Sequence, residues 1–406
     1  MRRLLGTVLL CALFLPALAA DVVKLAITGP FTGGSAPLGT SMRDGAKLAI
    51  AEINAAGGIA VGDRKLRIEV IERDDEARDD RGAAIARELA ATPDLSGVIG
   101  SANTGVALAG DRFLQEKGIT KIVTPAAGSA VMAQWARPDG PRQLSIFRFA
   151  ASDGIQAAMV VEEAIARRLT KVALLHDSTR YGVSGRDDLL MQVKLQGEKL
   201  QVVAVAEFDV GDRDLTSQLL RARSGGAQAI LLWGIGPEAA AVAKGMARLG
   251  MRVPLIGGWT LSMSSYLDDA GRTADGTLMP QTFIEEPVTP RARRFIEDYH
   301  RTYGVTRIPS PVSAAQGYDA VQLFAAAVRQ AGSTESGRIR DALEDLRAPV
   351  SGVIATWRHP YSKWDPAVVD THEAFRRKQV VMGMVQDGRV VFANQADKLR
   401  LVTGGL

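Results

Sequence analysis

The histidines are the first residues to test for catalytic or metal chemistry, and they are scattered along the chain at His176, His300, His359 and His372. No two of them have the spacing of a metal-binding pair, and the single cysteine, Cys11, lies far from all of them. His300 is next to Tyr299 in a helical pattern, where a histidine usually packs rather than binds a metal. We therefore predict no metal site and no catalytic histidine.

Other motifs that could support catalysis are incomplete. In "YGVSGR", Ser184 lies between Gly182 and Gly185, which is not the Gly-x-Ser-x-Gly spacing of a nucleophile elbow. "GPFTGGSA" is rich in glycine, but no lysine follows Gly34 to hold a phosphate. "GIGPEA" fits a dinucleotide pattern, yet its Pro237 is a common first-turn helix residue and the next strand lacks an acidic residue at its end. We predict neither enzymatic activity nor a cofactor.

Turns rich in small and hydroxyl residues offer a binding site instead. They follow strand-like runs and precede helical ones, at residues 29–39, 100–105, 124–130 and 177–182. In an open parallel sheet such turns lie at the carboxyl ends of the strands, and the free amides of a helix start can hold an anion. Ordinary helix capping by Asn103, Thr104 or Ser129 is the alternative for any single turn. Their occurrence on neighbouring turns favours a site for a carboxylate or a similar group.

The elements that would position these turns alternate between strand and helix. Apolar strand patterns occur at residues 22–28, 66–74, 97–100, 121–125, 171–178, 201–210, 227–234 and 253–258. Helical patterns lie between them; in the first, Met42, Ala46, Ala49 and Ile53 share one face. Apolar strands separated by helices predict parallel sheets covered on both faces. The predicted fold class is α/β, doubly wound, and the winding occurs twice.

The chain is predicted to pass between two lobes near residues 143–154, 276–287 and 346–357, which would make the connection a hinge. On this basis residues 21–146 and 281–349 form lobe 1, and residues 147–280 and 350–406 form lobe 2. The last segment has the pattern of a hairpin that turns at Asp387 and Gly388.

Composition and the first residues narrow the class of protein. The 406 residues are 47% hydrophobic and 23% charged with a formal net charge of +4, and no dense basic run predicts nucleic-acid binding. Residues 1–20 combine two arginines, an apolar stretch and a small-residue ending, which predicts a cleaved signal peptide; a membrane anchor is the alternative. No later stretch has the length and apolarity of a membrane span. A mature chain without cysteine suits an oxidising compartment.

Several longer motifs carry a resemblance to a known family. "LAITGPFTGGSAPLGTSMRDGAKLAIAEINAAGGI", "VIGSANTGVALA", "TPAAGS", "DSTRYG" and "GYDAV" are similar to segments of type I periplasmic solute-binding proteins of the branched-chain amino acid class, which serve ATP-driven importers. The resemblance covers essentially the whole mature length. It implies two lobes joined by three hinge crossings, a periplasmic location, a small-molecule ligand and an inner-membrane ABC permease as partner. We also expect a monomer.

The resemblance further implies which residues contact the ligand. Those that match the family's carboxylate-holding turns, its first glycine-rich turn and its closing tyrosine are Ser101, Asn103, Thr104, Ala126, Ala127, Gly128, Ser129, Leu38 and Tyr181. In the amino-acid binders an acidic residue pairs with the ligand ammonium, but here Trp259 stands at or next to that place, and residues 255–266 contain no Asp or Glu. A buried ammonium without a carboxylate partner is costly. We therefore predict a carboxylate ligand with an apolar or aromatic body and no α-amino group.

Some alternatives stay open. A branched-chain amino acid or an amide is the alternative ligand, and a ligand-sensing domain that feeds a receptor would use the same fold. An enzyme would need a titratable pair in the cleft, where the turns offer Asp177 and little else. Trp233 either packs in the core or stacks on the ligand beside Trp259. The acidic run at residues 72–80 is expected to be solvated.

Overall fold

The structure, a computed structural model, describes residues 22–402 and is dominated by two sheets. The first has the order β2-β3-β1-β4-β5-β6, with β1 (Val22–Gly29), β2 (Ile59–Val61), β3 (Arg64–Asp74), β4 (Leu95–Ile99), β5 (Lys121–Val123) and β6 (Ile146–Arg148). The second has the order β15-β14-β11-β10-β9-β7-β8. Its strands are β7 (Lys171–Asp177), β8 (Gln201–Phe208), β9 (Ala229–Trp233), β10 (Leu255–Gly257) and β11 (Leu278–Gln281). After a hairpin of β12 (Val350–Ser351) and β13 (Thr356–Trp357), it is completed by β14 (Val381–Gln386) and β15 (Arg389–Phe392). The predicted signal peptide and Cys11 lie outside the described residues.

Helices cover both faces of the sheets. Beside the first sheet lie α1 (Ala36–Ala55), α2 (Asp79–Ala90), α3 (Thr104–Glu116) and α4 (Ala130–Ala133). The second carries α5 (Asp153–Ala166), α6 (Arg180–Leu195), α7 (Thr216–Ser224), α8 (Pro237–Arg248) and α9 (Ser264–Ala270). The remaining helices are α10 (Pro290–Tyr303), α11 (Pro311–Ala331), α12 (Ser336–Glu344) and α13 (Gln395–Val402). Within residues 22–402, none of them combines the length and apolarity that crossing a membrane requires.

Helix α11 follows the strands β7–β11 of the second sheet in the chain, but it packs closely on α1 beside the first sheet. A Cβ atom added to Gly45 would lie 1.9 Å from the carbonyl oxygen of Ala314, and one added to Gly317 would lie 2.1 Å from that of Met42. Glycine is therefore required on both helices for their backbones to approach this closely. The glycine of the "GYDAV" motif has this packing role.

The predicted α/β winding is confirmed. Every predicted strand overlaps an observed one, and the predicted face of α1, with Met42 and Ile53, is buried. The hairpin is also confirmed, because β14 pairs antiparallel with β15 and the turn residues Asp387 and Gly388 have φ values of 49° and 71°. The acidic run is less solvated than expected, since Asp75 is completely buried.

The segment predicted as the third crossing contains a hairpin. Residues 350–357 form the β12–β13 hairpin, which packs on α11, and the chain joins the second sheet at β14. The segment before β14 contacts β6, because His372 Nδ1 lies 2.8 Å from the carbonyl oxygen of Ile146 and the amide of Ala374 donates to the carbonyl oxygen of Arg148 at 3.1 Å. The lobe boundaries at residues 146 and 349 stay predictions.

Asp319 on α11 anchors the β12–β13 hairpin. Its carboxylate accepts hydrogen bonds from the amides of Val353 (2.6 Å) and Ile354 (3.1 Å) and from Nε1 of Trp357 (2.9 Å). Burial raises the pKa of Asp319 to about 6, although these hydrogen bonds act in the opposite direction. A strand-like sequence is thus held at the first sheet by a carboxylate from a distant helix.

Asp319 gives the stability a pH dependence of definite sign. Its pKa of about 6 in the folded protein exceeds the ordinary 3.8. Between pH 3.8 and about 6 the folded protein therefore binds more protons than the unfolded chain. The stabilisation that results is complete below pH 3.8 and is lost as the pH rises through about 6. Asp319→Asn cannot titrate, so we expect it to reduce the fall in urea-unfolding free energy between about pH 4 and 6, by at most about 1.4 kcal/mol per pH unit.

The matched control is Asp341→Asn, because Asp341 is exposed on the neighbouring helix α12. Its stability profile should follow that of the wild type. Parallel profiles for Asp319→Asn and wild type across this pH range would contradict the assignment.

Candidate functional site

A small cavity lies where the carboxyl ends of the two parallel sheets face each other, and we call it the central cavity. Its walls are formed by Pro125, Ala127, Ala150, Ala151, Gln156, Trp259, Pro280, Thr282, Val312, Gln316 and Val380. These residues come from turns of both sheets, from α11 and from the crossings. No charged side chain of the described residues lines it.

The polar side chains of this wall are already paired. Gln156 Oε1 accepts from the amide of Trp259 at 3.1 Å, and its Nε2 donates to the carbonyl of Ala151 at 2.9 Å. Gln316 Nε2 donates to Thr282 Oγ1 at 3.0 Å. A ligand in the central cavity therefore meets a surface that is effectively apolar. Both glutamines were missed by the sequence reasoning, because a glutamine inside a helical pattern gives no local signal.

Arg148, the last residue of β6, holds the small-residue turn from behind. Its Nη1 donates to the carbonyl oxygens of Ala127 (3.0 Å) and Gly128 (2.6 Å). Its Nε donates to Glu373 at 2.7 Å and its Nη2 to the other oxygen of the same carboxylate, and both side chains are buried. The sequence signal for this network is one charged residue inside an apolar strand pattern, which requires a buried partner. The partner itself could not be identified from the sequence.

Asn103 does not cap its helix with its side chain. Asn103 is the N-cap residue of α3, but its side chain makes no capping hydrogen bond, and its Oδ1 is buried without a partner in the described residues. The neighbouring Thr104 Oγ1 accepts a hydrogen bond from the amide of Gly128 at 3.2 Å. Because an amide N–H can only donate, the hydroxyl proton of Thr104 is free for another acceptor. Polar atoms of both residues are thus available beside the small-residue turn.

The other predicted residues of these two turns point in different directions. Ser101 Oγ lies 3.0 Å from Nζ of Lys121 and lines a separate small cavity under α2 and α3. Ala126 packs in an apolar cluster with Val131, whereas Ala127 lines the central cavity. Ser129 makes no capping hydrogen bond, and its Oγ accepts from the amide of Gly154 at 3.1 Å.

Of the predicted aromatic residues and Leu38, Trp259 lines the central cavity, whereas Tyr181 and Leu38 do not. Leu38, Tyr181 and Trp259 are all buried in the large apolar core. Trp259 follows β10 and lines the cavity. The hydroxyl of Tyr181 lies beside Thr260 without a partner of normal hydrogen-bond geometry in the described residues, and burial raises its pKa well above the ordinary value. A ligand or an ordered water would give this hydroxyl a partner.

Trp233 is a core residue and does not face the cavity. It is completely buried, and a Cβ added to Gly185 would lie 2.0 Å from its ring. Its Nε1 donates to Asp153 at 3.3 Å. Of these two tryptophans, Trp259 is the one that lines the central cavity.

Two buried carboxylates near Ser129 were not predicted. Asp153, the first residue of α5, accepts from Trp233 Nε1 and from Gln156 Nε2, each at 3.3 Å. Asp188, on α6, interacts with the hydroxyl of Ser129, and its Oδ2 is buried without a partner in the described residues. Burial raises the pKa of both carboxyls, and the charge of Asp188 raises that of Asp153 further. Neither residue lines the central cavity.

Asp177, the acidic residue that the sequence placed in the cleft, holds two backbone segments together. Its carboxylate accepts from the amides of Thr179 (3.0 Å) and Ile235 (2.9 Å), which joins the end of β7 to the end of β9. Burial raises its pKa. In residues 22–402, no group of three histidine, cysteine or acidic side chains has the arrangement of a metal site.

Known proteins are similar to this chain in sequence and in architecture. The sequence model of the family described as periplasmic binding protein matches residues 22–363. The Leu/Ile/Val-binding protein homolog 3 of Brucella melitensis is 26% identical over 345 residues, which are 84% of this chain and 88% of that protein.

Solved structures with the same architecture come from several organisms. A type 1 periplasmic binding protein of Bordetella pertussis Tohama I superposes with a TM-score of 0.79 at 26% identity, over 92% of this chain and 99% of that one. A solute-binding protein of an ABC transporter from R. palustris, solved with benzoate, superposes with a TM-score of 0.76 at 21% identity, over 92% and 96%. At 21% identity the second likeness shows a common fold.

Gly128→Ala tests the contact between the two candidate turns. A methyl group at residue 128 would lie 2.4 Å from Cγ2 and 2.7 Å from Oγ1 of Thr104, so the turn must shift and lose its hydrogen bond. We expect the free energy of unfolding in urea to fall by roughly 1–3 kcal/mol. Gly34→Ala is the control, because a methyl group there meets no atom within 4 Å. Equal stability of Gly128→Ala and wild type would contradict the contact.

Proposed function

The chain belongs to the periplasmic binding protein family, and from this premise we propose that it is the substrate-binding component of an ABC importer for a small carboxylate with an apolar or aromatic body and no α-amino group. The observation that carries the proposal is the central cavity, which Trp259 lines and to which no charged side chain of the described residues contributes. An apolar body is favoured there, whereas an ammonium would be desolvated without a partner.

The two hydroxyl turns supply the other half of the ligand's chemistry. The free hydroxyl proton of Thr104, together with the amides at the start of α3, forms a neutral cradle for an anion beside Gly128. Ser101, Asn103, Ala127 and Ser129 belong to the same pair of turns. A carboxylate in this cradle would place the rest of the ligand toward Trp259, where an indole face suits an aromatic ring.

Capture would proceed by hinge closure. The ligand first docks on the turns of the first sheet, and the second lobe then rotates about the crossings and brings Tyr181 and Trp259 over it. Closure is favoured to the extent that the ligand binds the closed form better than the open one. The loaded protein, acting as a monomer in the periplasm, would then be recognised by an inner-membrane permease.

A branched-chain amino acid is the second candidate ligand. The name of the Brucella relative favours it, and so does Asp188, whose Oδ2 is buried without a partner in the described residues near the Ser129 turn. This carboxylate would have to reach a ligand ammonium by a change in the cleft, because it does not line the central cavity. The R. palustris protein solved with benzoate favours the amine-free carboxylate.

Calorimetric titration of the ligand-stripped mature protein with benzoate and with leucine separates the two candidates. We expect benzoate to bind and to raise the melting temperature in a concentration-dependent way, because a ligand that binds only the native state stabilises it. Trp259→Leu should weaken benzoate binding by roughly tenfold or more, since it removes the aromatic wall. Trp364→Leu is the matched control, because Trp364 is equally buried but donates to the carbonyl of Pro141, away from the cavity.

The outcomes are distinct. Binding of leucine but not benzoate, with a loss of leucine affinity in Asp188→Asn, would establish the amino-acid alternative and contradict the proposed ligand class. Equal affinity of Trp259→Leu and Trp364→Leu for benzoate would place the ligand outside the central cavity.

A further inference from the structure

The small cavity under α2 and α3 contains buried polar groups that the proposed function does not use, and we call it the inner cavity. Its polar wall is formed by Thr28, Asp75, Ser101 and Lys121, and the rest of its wall consists of apolar side chains and glycines of α2, α3 and β4. Asp75 is completely buried, and Ser101 and Lys121 are 3% and 2% exposed. The cavity thus joins residues from the ends of β3, β1 and β4, which are neighbours in the first sheet.

Lys121 and Ser101 leave two hydrogen-bond donors unused in this wall. Nζ of Lys121 lies 3.0 Å from Ser101 Oγ and 2.5 Å from Asp111 Oδ1. An ammonium group has three N–H donors and no acceptor, so Ser101 Oγ accepts in this contact and its proton points to a different atom. Among the described residues, no side-chain hydrogen bond uses that proton or the third N–H of Lys121. Both are available to an acceptor inside the cavity.

Asp75 provides the complementary acceptor. Its Oδ1 accepts from the amide of Ala77 at 2.9 Å, whereas its Oδ2 is buried without a partner in the described residues. Burial raises the pKa of Asp75 to about 6, so the carboxyl is charged at neutral pH and this oxygen requires a donor. In the part of the chain that the structure describes, no direct hydrogen bond or ion pair joins Asp75 to Ser101 or Lys121. A bridging group must therefore accept from one side and donate to the other.

The size and charges of the inner cavity limit what this group can be. The centre of a water molecule can occupy about 10 Å³ of it, which is close to the roughly 10–15 Å³ that one buried water needs. A buried water typically makes about three hydrogen bonds, and it both donates and accepts. A monovalent cation would be repelled by the ammonium of Lys121, and a halide by the carboxylate of Asp75. Asp111 Oδ2 is also buried without a partner in the described residues, but Asp111 does not line the cavity.

We propose that the inner cavity is a binding site for one ordered water molecule, which accepts hydrogen bonds from Ser101 and Lys121 and donates one to Asp75. The water links the turn after β3 to the turn after β4 across the end of β1, which no direct side-chain contact between these residues does. It also gives a physical reason for the burial of Asp75 inside an acidic run that the sequence predicts to be solvated. This site does not depend on which ligand the central cavity binds.

Crystal structures of the ligand-stripped mature protein test the assignment directly. We expect one density peak within roughly 2.7–3.2 Å of Ser101 Oγ, Lys121 Nζ and Asp75 Oδ2, without anomalous scattering after soaks in rubidium chloride or in sodium bromide. No peak at this position would overturn the proposal. An anomalous peak from rubidium would identify a cation site and one from bromide an anion site, and either result would overturn it as well.

Counting of long-lived internal waters in solution, by deuterium magnetic relaxation dispersion, gives an independent test. Asp75→Asn keeps an oxygen for the amide of Ala77 but replaces Oδ2 with an NH₂ donor, so three donors would face a water that can accept only two hydrogen bonds. We expect this variant to hold one long-lived water fewer than the wild type. Asp80→Asn is the matched control, because Asp80 belongs to the same acidic run and is exposed, and its count should equal that of the wild type. Equal counts for Asp75→Asn and the wild type would contradict the water site.

Discussion

The buried pair of Arg148 and Glu373 is the interaction on which the arrangement of the site depends. It joins the end of β6, where the chain first leaves the first sheet, to the segment that runs toward the last crossing. The same guanidinium holds the carbonyl groups of Ala127 and Gly128, so it also sets the position of the small-residue turn. Removing one partner of such a pair leaves an uncompensated buried charge, which typically costs about 3–5 kcal/mol. The segment before β14 and the small-residue turn therefore share one anchor.

Polar and apolar groups occupy different parts of the candidate site around this anchor. The wall of the central cavity contains amides that already have partners, and Trp259 is the one aromatic side chain among the described residues that line it. Buried polar atoms without a partner belong to other residues, namely Asn103, Tyr181 and Asp188, and the hydroxyl proton of Thr104 is free. The proposed ligand, with one charged end and one apolar end, fits this division, because burial of the apolar end is favourable and a buried charge needs hydrogen-bond donors.

Charged groups are numerous close to the cavity, but each is kept one layer away from it. Asp153 lies behind Gln156, Asp177 holds two strand ends together, and Lys121 lies behind Ser101. The cavity wall is therefore neutral although charged groups are buried behind it. Burial raises the carboxyl pKa values of Asp153 and Asp177.

The sequence by itself determined the α/β winding, the strand and helix order, the closing hairpin and the family resemblance, because these depend on local periodicity and on turn residues. It also indicated which turns hold the free hydroxyls. Only the tertiary structure decided that residues 350–357 stay at the first sheet, that Gln156 and Gln316 complete the cavity wall, and that Ser101 turns toward Lys121. Each of these depends on a contact between residues far apart in the chain. Local pattern fixes which side chains are buried, but the partner of a buried polar group is set by packing, and this is why the residues behind the hydroxyl turns could not be predicted.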